Sequence, residues 1–398
     1  MKARTLLAMT IAVIFLLSAV SFALAAEKKP LLIGGIFSVT GKAAALGDPE
    51  SKTATMIVDQ INAAGGVNGF PLKLIVQDDE SLENKAVADA EKLINLDRVL
   101  AIIGPSVSGN SLKIKPICEK AKIPMVSCAA AEAIVTPPEN SRFIFKTPQP
   151  DSHVVIRILE QARNMGINKI GILTDTLPYG QQGRKQLQEH AKDLGVEIVA
   201  DETYGPNVTD MRPLLERIRA AGAGAVINWS VLPVQTIVPK NMKEMGMRIP
   251  LFHSHGFGNP KMIQAAGEAG EGIMFPSGRL LAVDALPSNH PQKKVLEDYK
   301  KAYESKYNSP VSTFGGHAYD ALWLVVNAMK QRNVTPDIPV EQAREAIRNG
   351  IEETKGWIGI AGTFYMSPHD HTGLDKYDSL EMLVVSKDGK VVPLSQKK

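Results

Sequence analysis

From Leu31 onward the chain alternates short continuous apolar runs with amphipathic stretches, the pattern of buried parallel strands joined by crossover helices. In the first half it predicts strands over 31–37, 72–77, 99–103 and 124–127. Helices are predicted near 51–64, 84–96 and 111–122. A second series opens at Asp151, with helix 152–165, strand 170–174, helix 181–194, strand 196–203, helix 210–221, strand 225–229, a helix ending about 245 and strand 250–253. Two such series predict an α/β protein of two doubly wound, Rossmann-like lobes. The punctuation Thr147-Pro148-Gln149-Pro150 marks the joint between them. Longer helices follow over 292–307 and 317–330, a shorter one over 340–348, and then strands 380–385 and 391–394 about a turn at Lys387-Asp388-Gly389-Lys390.

The first 26 residues stand outside this pattern. Lys2 and Arg4 precede an apolar run over 6–20, and Ala23-Leu24-Ala25 supplies small residues, so an export signal cleaved after Ala25 is expected. The competing reading, an uncleaved anchor, is opposed by the short apolar run. No cysteine adjoins the cleavage site to take a lipid, and the periplasm of a Gram-negative cell is the expected compartment. Cys118 and Cys128 are the only cysteines. Folding the strand at 123–128 back along the preceding helix leaves them about 10 Å apart axially, beyond disulfide reach, so two buried free thiols are expected.

With 398 residues, 44% hydrophobic and 22% charged, the chain has ordinary globular composition with room for two domains. The formal charge is +3, of which the leader holds two. No basic run suggests a nucleic-acid partner. No Walker-type phosphate loop occurs, so any ATPase is a separate subunit, and no cofactor is expected.

Several segments, in order and spacing, resemble one family. They are Asp59-Gln60-Ile61-Asn62-Ala63-Ala64-Gly65-Gly66-Val67-Asn68-Gly69 with Asp78-Asp79 downstream, Ile102-Ile103-Gly104-Pro105, Ile123-Pro124-Met125-Val126-Ser127, and Pro178-Tyr179-Gly180. Thr313-Phe314-Gly315-Gly316-His317-Ala318-Tyr319-Asp320-Ala321 and Gly356-Trp357-Ile358-Gly359 extend the match along the mature chain. The chain is similar to the periplasmic leucine/isoleucine/valine-binding proteins of ABC importers, with the type I periplasmic binding protein fold. The resemblance implies a monomeric, non-enzymatic receptor whose lobes, joined by three hinge crossings, close on a small solute and dock on membrane permease subunits. The expected division is a signal at 1–25, one lobe from 26–147 plus 277–361, and the other from 148–276 plus 362–398.

The same resemblance points to site residues. Ser108, in the loop Gly104-Pro105-Ser106-Val107-Ser108-Gly109-Asn110-Ser111 that opens a helix, matches a residue that contacts a ligand carboxylate; a helix N-terminus suits an anion, although Ser108 also reads as a simple N-cap. Main-chain groups around Ala129, Ala130 and Ala131 match a second carboxylate contact, with Ala131 standing where the family often has a hydroxyl. Tyr179 matches a residue that reaches across the cleft. The family holds an α-ammonium with an acidic residue and a tyrosine, and this chain has His255 and Leu232 there. An ammonium desolvated without a carboxylate costs several kcal/mol. Asp175 reads as a fixed strand-end residue that does not replace that acid. Trp229, Leu232, Phe257 and Leu46 would line an apolar half-pocket, with His255 donating to a distal polar group or packing neutral. The expected ligand is therefore an aromatic or aliphatic organic acid lacking the α-ammonium, with a branched-chain amino acid as the alternative and ligand sensing an alternative use of the fold.

Two rival constellations come from the residues themselves. Ser106 or Ser108 in Gly104-Pro105-Ser106-Val107-Ser108 approximates the nucleophile elbow of a hydrolase without its last glycine, with His317 and His371 as distant candidate partners. The pairs His253/His255 and His369/His371 have the alternate spacing of metal ligands on a strand. Tyr299, Tyr303 and Tyr307 form a helical stripe that reads as packing.

Overall fold

A computed structural model describes residues 28–396; the expected export signal lies outside them. Two separate sheets organise the chain. The first has five parallel strands, β1 (Leu31–Phe37), β2 (Leu72–Asp78), β3 (Ile102–Ile103), β4 (Met125–Ser127) and β5 (Ile144–Lys146), in the order β2-β1-β3-β4-β5. Helices α1 (Ala44–Ala63), α2 (Glu83–Asn95) and α3 (Ser108–Lys120) make its crossovers. The chain then passes through Thr147-Pro148-Gln149-Pro150 into a second sheet.

That sheet contains β6 (Lys169–Asp175), β7 (Glu197–Tyr204), β8 (Ala225–Trp229), β9 (Leu251–His253) and β10 (Met274–Ser277). Between them run α4 (Asp151–Asn164, ahead of β6), α5 (Pro178–His190), α6 (Arg212–Ala220), α7 (Ile237–Glu244) and α8 (Pro260–Ala266). The chain returns to the first sheet with α9 (Lys293–Tyr307), α10 (Thr313–Gln331), α11 (Val340–Glu352) and the small hairpin β11 (Lys355–Ile358) and β12 (Thr363–Tyr365). After the single turn α12 (Lys376–Ser379) it ends in β13 (Glu381–Val385) and β14 (Val391–Pro393). These two add antiparallel to the second sheet, giving β14-β13-β10-β9-β8-β6-β7.

Buried apolar side chains fall on both faces of each sheet, which is why the strands read as continuous runs. Tyr299 and Tyr303 of the α9 stripe are buried and pack tilted against each other, with ring centroids 5.9 Å apart. Their place in the first sheet's core is the packing reading of that stripe. Cys118 and Cys128 are free and buried, as their spacing predicts.

Three differences from the sequence reading bear on the site. Helix α1 begins seven residues earlier than predicted, with Pro49 inside it; the proline masked the first two turns, which carry Leu46 and Glu50 on one face. Helix α3 begins at Ser108, so Ser108 is its first helical residue and Val107 its N-cap, without a side-chain cap. Helix α10 begins at Thr313, capped by the Ser312 hydroxyl accepting from the Gly315 N–H. Each extension brings a helix N-terminus to the same side of the molecule.

Candidate binding cleft between the lobes

At the carboxyl ends of β3, β4, β8 and β9 the loops of the two lobes meet around a small cavity. The first lobe contributes Leu46 from α1, Ser106, Val107 and Ser108 from the β3–α3 loop, Cys128, Ala129 and Ala130 after β4, and Phe314 and His317 from α10. Tyr179 of α5, Val231, His255 and Gly256 face them from the second lobe, and Pro148 of the first crossing forms the side. The mouth is bridged: Asn259 Nδ2 donates to Ala45 O at 2.9 Å, Thr313 Oγ1 to Gly258 O at 2.8 Å, and Lys42 Nζ to Asn207 Oδ1 at 3.0 Å. The lobes are thus in a closed arrangement.

The first-lobe wall presents hydrogen-bond donors at a helix N-terminus. The turn that aims it depends on Gly104, whose φ is +88° and where a Cβ would lie 2.0 Å from Ile36 O. The early N–H groups of α3 have no intrahelical acceptor and sit at the positive helix end. Ser108 Oγ accepts the Ala131 N–H at 3.2 Å, which leaves its own proton available to a ligand. Ser127 Oγ accepts the Ala129 N–H at 3.0 Å and pairs with Ser111 Oγ at 2.8 Å, fixing the β4 loop.

The rest of the lining, Tyr179 and His255 of the second lobe with His317 of the first, is neutral and polar. Tyr179 Oη and His255 Nδ1 are 3.2 Å apart, while His255 Nε2 and His317 Nδ1 are buried without a partner. Burial holds both imidazoles uncharged: His317 is pushed down to about 3, and His255 falls well below its ordinary value. The Lys146 ammonium adds to both shifts. Lys146 is itself buried, donating to Pro148 O at 2.6 Å. Burial drives it down, and drives the neighbouring Asp151 up. Among the described residues no Asp or Glu lines the cavity.

Of the residues the sequence singles out, Leu46, Ser108, Ala129, Ala130, Tyr179 and His255 come together on the cavity wall. Ala131, Trp229, Leu232 and Phe257 stand behind it. The Trp229 indole packs on Gly183 of α5, where a Cβ would lie 2.3 Å from it, and its ring centroid is 5.7 Å from that of Tyr179. Phe257 packs tilted against His253, with ring centroids 4.4 Å apart, and Leu232 is buried. Asp175 is absent from the wall as well, its Oδ1 accepting the Leu177 N–H at 2.9 Å.

Sequence reasoning missed Phe314 and His317 as wall residues; Ser312, a capping residue ahead of the Gly-rich segment, was the available signal. It also missed Glu50, which lies fully buried behind Ser106 and accepts its hydroxyl. Burial raises the Glu50 carboxyl well above its ordinary range, opposed by that hydrogen bond.

The rival constellations do not assemble. Neither Ser106 nor Ser108 has a histidine partner, since their hydroxyls engage Glu50 and Ala131. His253 Nδ1 lies 3.2 Å from Asn228 Nδ2 and 3.1 Å from Gln235 Oε1. His371 Nδ1 meets Ile144 O at 2.8 Å, and no group of three metal-ligating side chains occurs among the described residues.

Residues 30–389 match the family model described as periplasmic binding protein. The chain is 26% identical over 344 residues to the leucine-, isoleucine-, valine-, threonine- and alanine-binding protein of Pseudomonas aeruginosa, covering 85% of this chain and 87% of that one. An extracellular ligand-binding receptor from Rhodopseudomonas palustris HaA2 has a TM-score of 0.86 at 27% identity, covering 92% of this chain and all of the other. The branched-chain amino acid transporter substrate-binding protein LivJ of Streptococcus pneumoniae, solved with isoleucine, has a TM-score of 0.78 at 26% identity, covering 91% and 98%. The chain therefore belongs to the periplasmic binding protein family, with the type I fold.

Proposed function

We propose that this receptor captures a small carboxylate with an aromatic or aliphatic body and no α-ammonium, and delivers it to the permease of an ABC importer as a monomer exported through a cleaved signal. The observation that carries the reading is the composition of the cavity wall: free helix N–H groups and the Ser108 hydroxyl at one end, and no acidic side chain along it among the described residues. In this reading Ser108 and the backbone at Ala129 and Ala130 hold the carboxylate. Leu46 and Tyr179 contact the apolar body, and His255 and His317 meet a distal polar group as neutral donors or acceptors. Trp229, Leu232, Phe257 and Ala131 act from behind, setting the position of the wall.

The lobes we propose are 26–147 with the segment after 277, and 148–276 with the C-terminal strands. Phe364, Met366 and Leu374 pack in the core of the first sheet, which favours a third crossing after Leu374 over one at 361/362.

Thermal unfolding of protein refolded to strip bound solute tests the ligand class with matched pairs: leucine against 4-methylpentanoate, and phenylalanine against 3-phenylpropionate. A ligand at 1,000 times its Kd adds about 4 kcal/mol and raises the midpoint by several degrees. The deaminated acids should give the larger shifts. Branched-chain amino-acid binding is the second reading, favoured by the names of the relatives, and larger shifts with leucine, isoleucine or valine would establish it instead.

A further inference from the structure

Behind the anion end of the cavity, Ser106 sits at a junction that a ligand must share. Its hydroxyl oxygen accepts the Ser38 N–H at 3.0 Å and its proton is given to Glu50 Oε2. A serine hydroxyl has one proton and two acceptor positions. While Glu50 is ionised that single proton is committed to it, and Ser106, although on the cavity wall, has nothing to offer a ligand. A proton on Glu50 reverses the bond: Glu50 donates to Ser106 Oγ, the oxygen accepts from both Glu50 and Ser38, and the Ser106 O–H is released toward the cavity.

The surroundings favour that protonated form when an anion arrives. Glu50 is completely buried, and its second oxygen, Oε1, has no partner. The titratable groups coupled to it directly are Asp79 after β2 and Cys128 after β4; Asp320 of α10 acts on Cys128 in turn, and His317 of α10 shares the cavity wall with Ser106. Asp79 is a carboxylate accepting from Ser38, Ser81 and Asn110 and acts on Glu50 as a like charge. No cation stands among the groups acting on Glu50. A ligand carboxylate beside Ser106 would add a second negative charge to this ring, so ligand and ionised Glu50 exclude each other.

We infer that the protein takes up one proton on Glu50 as it binds its carboxylate ligand, and that the Ser106 hydroxyl, released by that proton, is a further donor to the bound anion. This rests on the carboxylate reading above. The proton comes from solvent and returns to it on release, and no covalent bond changes.

The test is isothermal titration calorimetry of solute-free protein with 4-methylpentanoate and with 3-phenylpropionate, from pH 5 to pH 10, in buffers of contrasting ionisation enthalpy. Above the titration of Glu50 in the free protein, affinity should fall about tenfold per pH unit, with one proton absorbed per ligand bound. Glu50→Gln, whose amide donates permanently to Ser106, should show no such slope and no proton uptake. Ser106→Ala should weaken binding at low pH, where the released hydroxyl is lost, and keep the slope that repulsion between the ligand and ionised Glu50 sets, which keeps the test open if the Gln variant does not fold. Affinity constant within twofold across the range in the wild type, or a slope that survives Glu50→Gln, overturns the coupling and leaves the carboxylate reading standing. If neither acid binds at any pH, the carboxylate reading falls and takes the coupling with it.

Discussion

Replacing Ser108 with alanine separates a binding residue from a structural one. In the closed cleft Ser108 Oγ accepts the Ala131 N–H at 3.2 Å and lines the cavity, so the alanine variant loses two things at once. The first is a donor to the ligand carboxylate; a hydrogen bond to a charged group contributes about 2 kcal/mol, which is about a 30-fold loss of affinity. The second is the acceptor for a fully buried N–H, which lowers stability by about 1 kcal/mol. The assay is calorimetric titration with 4-methylpentanoate, alongside denaturant unfolding of the ligand-free variant. The account predicts roughly 30-fold weaker binding together with a small stability loss, and recovery of most of the affinity in Ser108→Thr. Unfolding at lower denaturant with affinity within twofold of wild type would refute it, leaving Ser108 as a brace for the β4 loop and nothing more.

Two further expectations follow from the packing and the charges. Gly183→Ala places a methyl against the Trp229 indole at 2.3 Å, and overpacking there should lower stability by about 1–3 kcal/mol, measured by urea unfolding. Because the displaced indole backs Tyr179, ligand affinity should fall with it. Burial raises the Asp320 carboxyl to about 8, against the hydrogen bonds it accepts from the Ile360 and Ala361 N–H groups at 2.7 Å. A carboxyl raised on folding binds more protons in the native state, so its contribution is full below about pH 4 and is lost as the pH climbs to about 8. The fall in unfolding free energy between pH 5 and pH 8 should therefore be smaller in Asp320→Asn, and an unchanged fall would contradict this assignment.

Most of the fold was legible because parallel strands buried on both faces leave continuous apolar runs; β1 and β8 fall on their predicted residues. The strands missed were β5, β10, β11 and β12. At three and four residues, β5 and β10 adjoin the crossings between the lobes, and polar Lys146 and Ser277 are buried in them by tertiary contacts. The hairpin of β11 and β12 has a mixed burial pattern with no strict alternation. The site was legible where local chemistry marks it, as at Ser108 and Tyr179. It was obscured where a helix start was misjudged: Pro49 hid the turns bearing Leu46 and Glu50, and the glycines at 315 and 316 hid the turn bearing Phe314 and His317. Trp229 and Phe257 illustrate a different limit, since large aromatic side chains at strand ends can face the ligand or back the wall, and only the small residue opposite, Gly183 for Trp229, decides which.

The central claim is that the absence, among the described residues, of an acidic side chain from the cavity wall excludes an α-ammonium. The measurement that tests it most directly is the ratio of calorimetric dissociation constants for leucine and 4-methylpentanoate on solute-free protein. An ammonium desolvated without a partner costs at least about 3 kcal/mol, so the deaminated acid should bind more than about 100-fold tighter. Leucine binding as tightly as 4-methylpentanoate, or more tightly, would contradict the account.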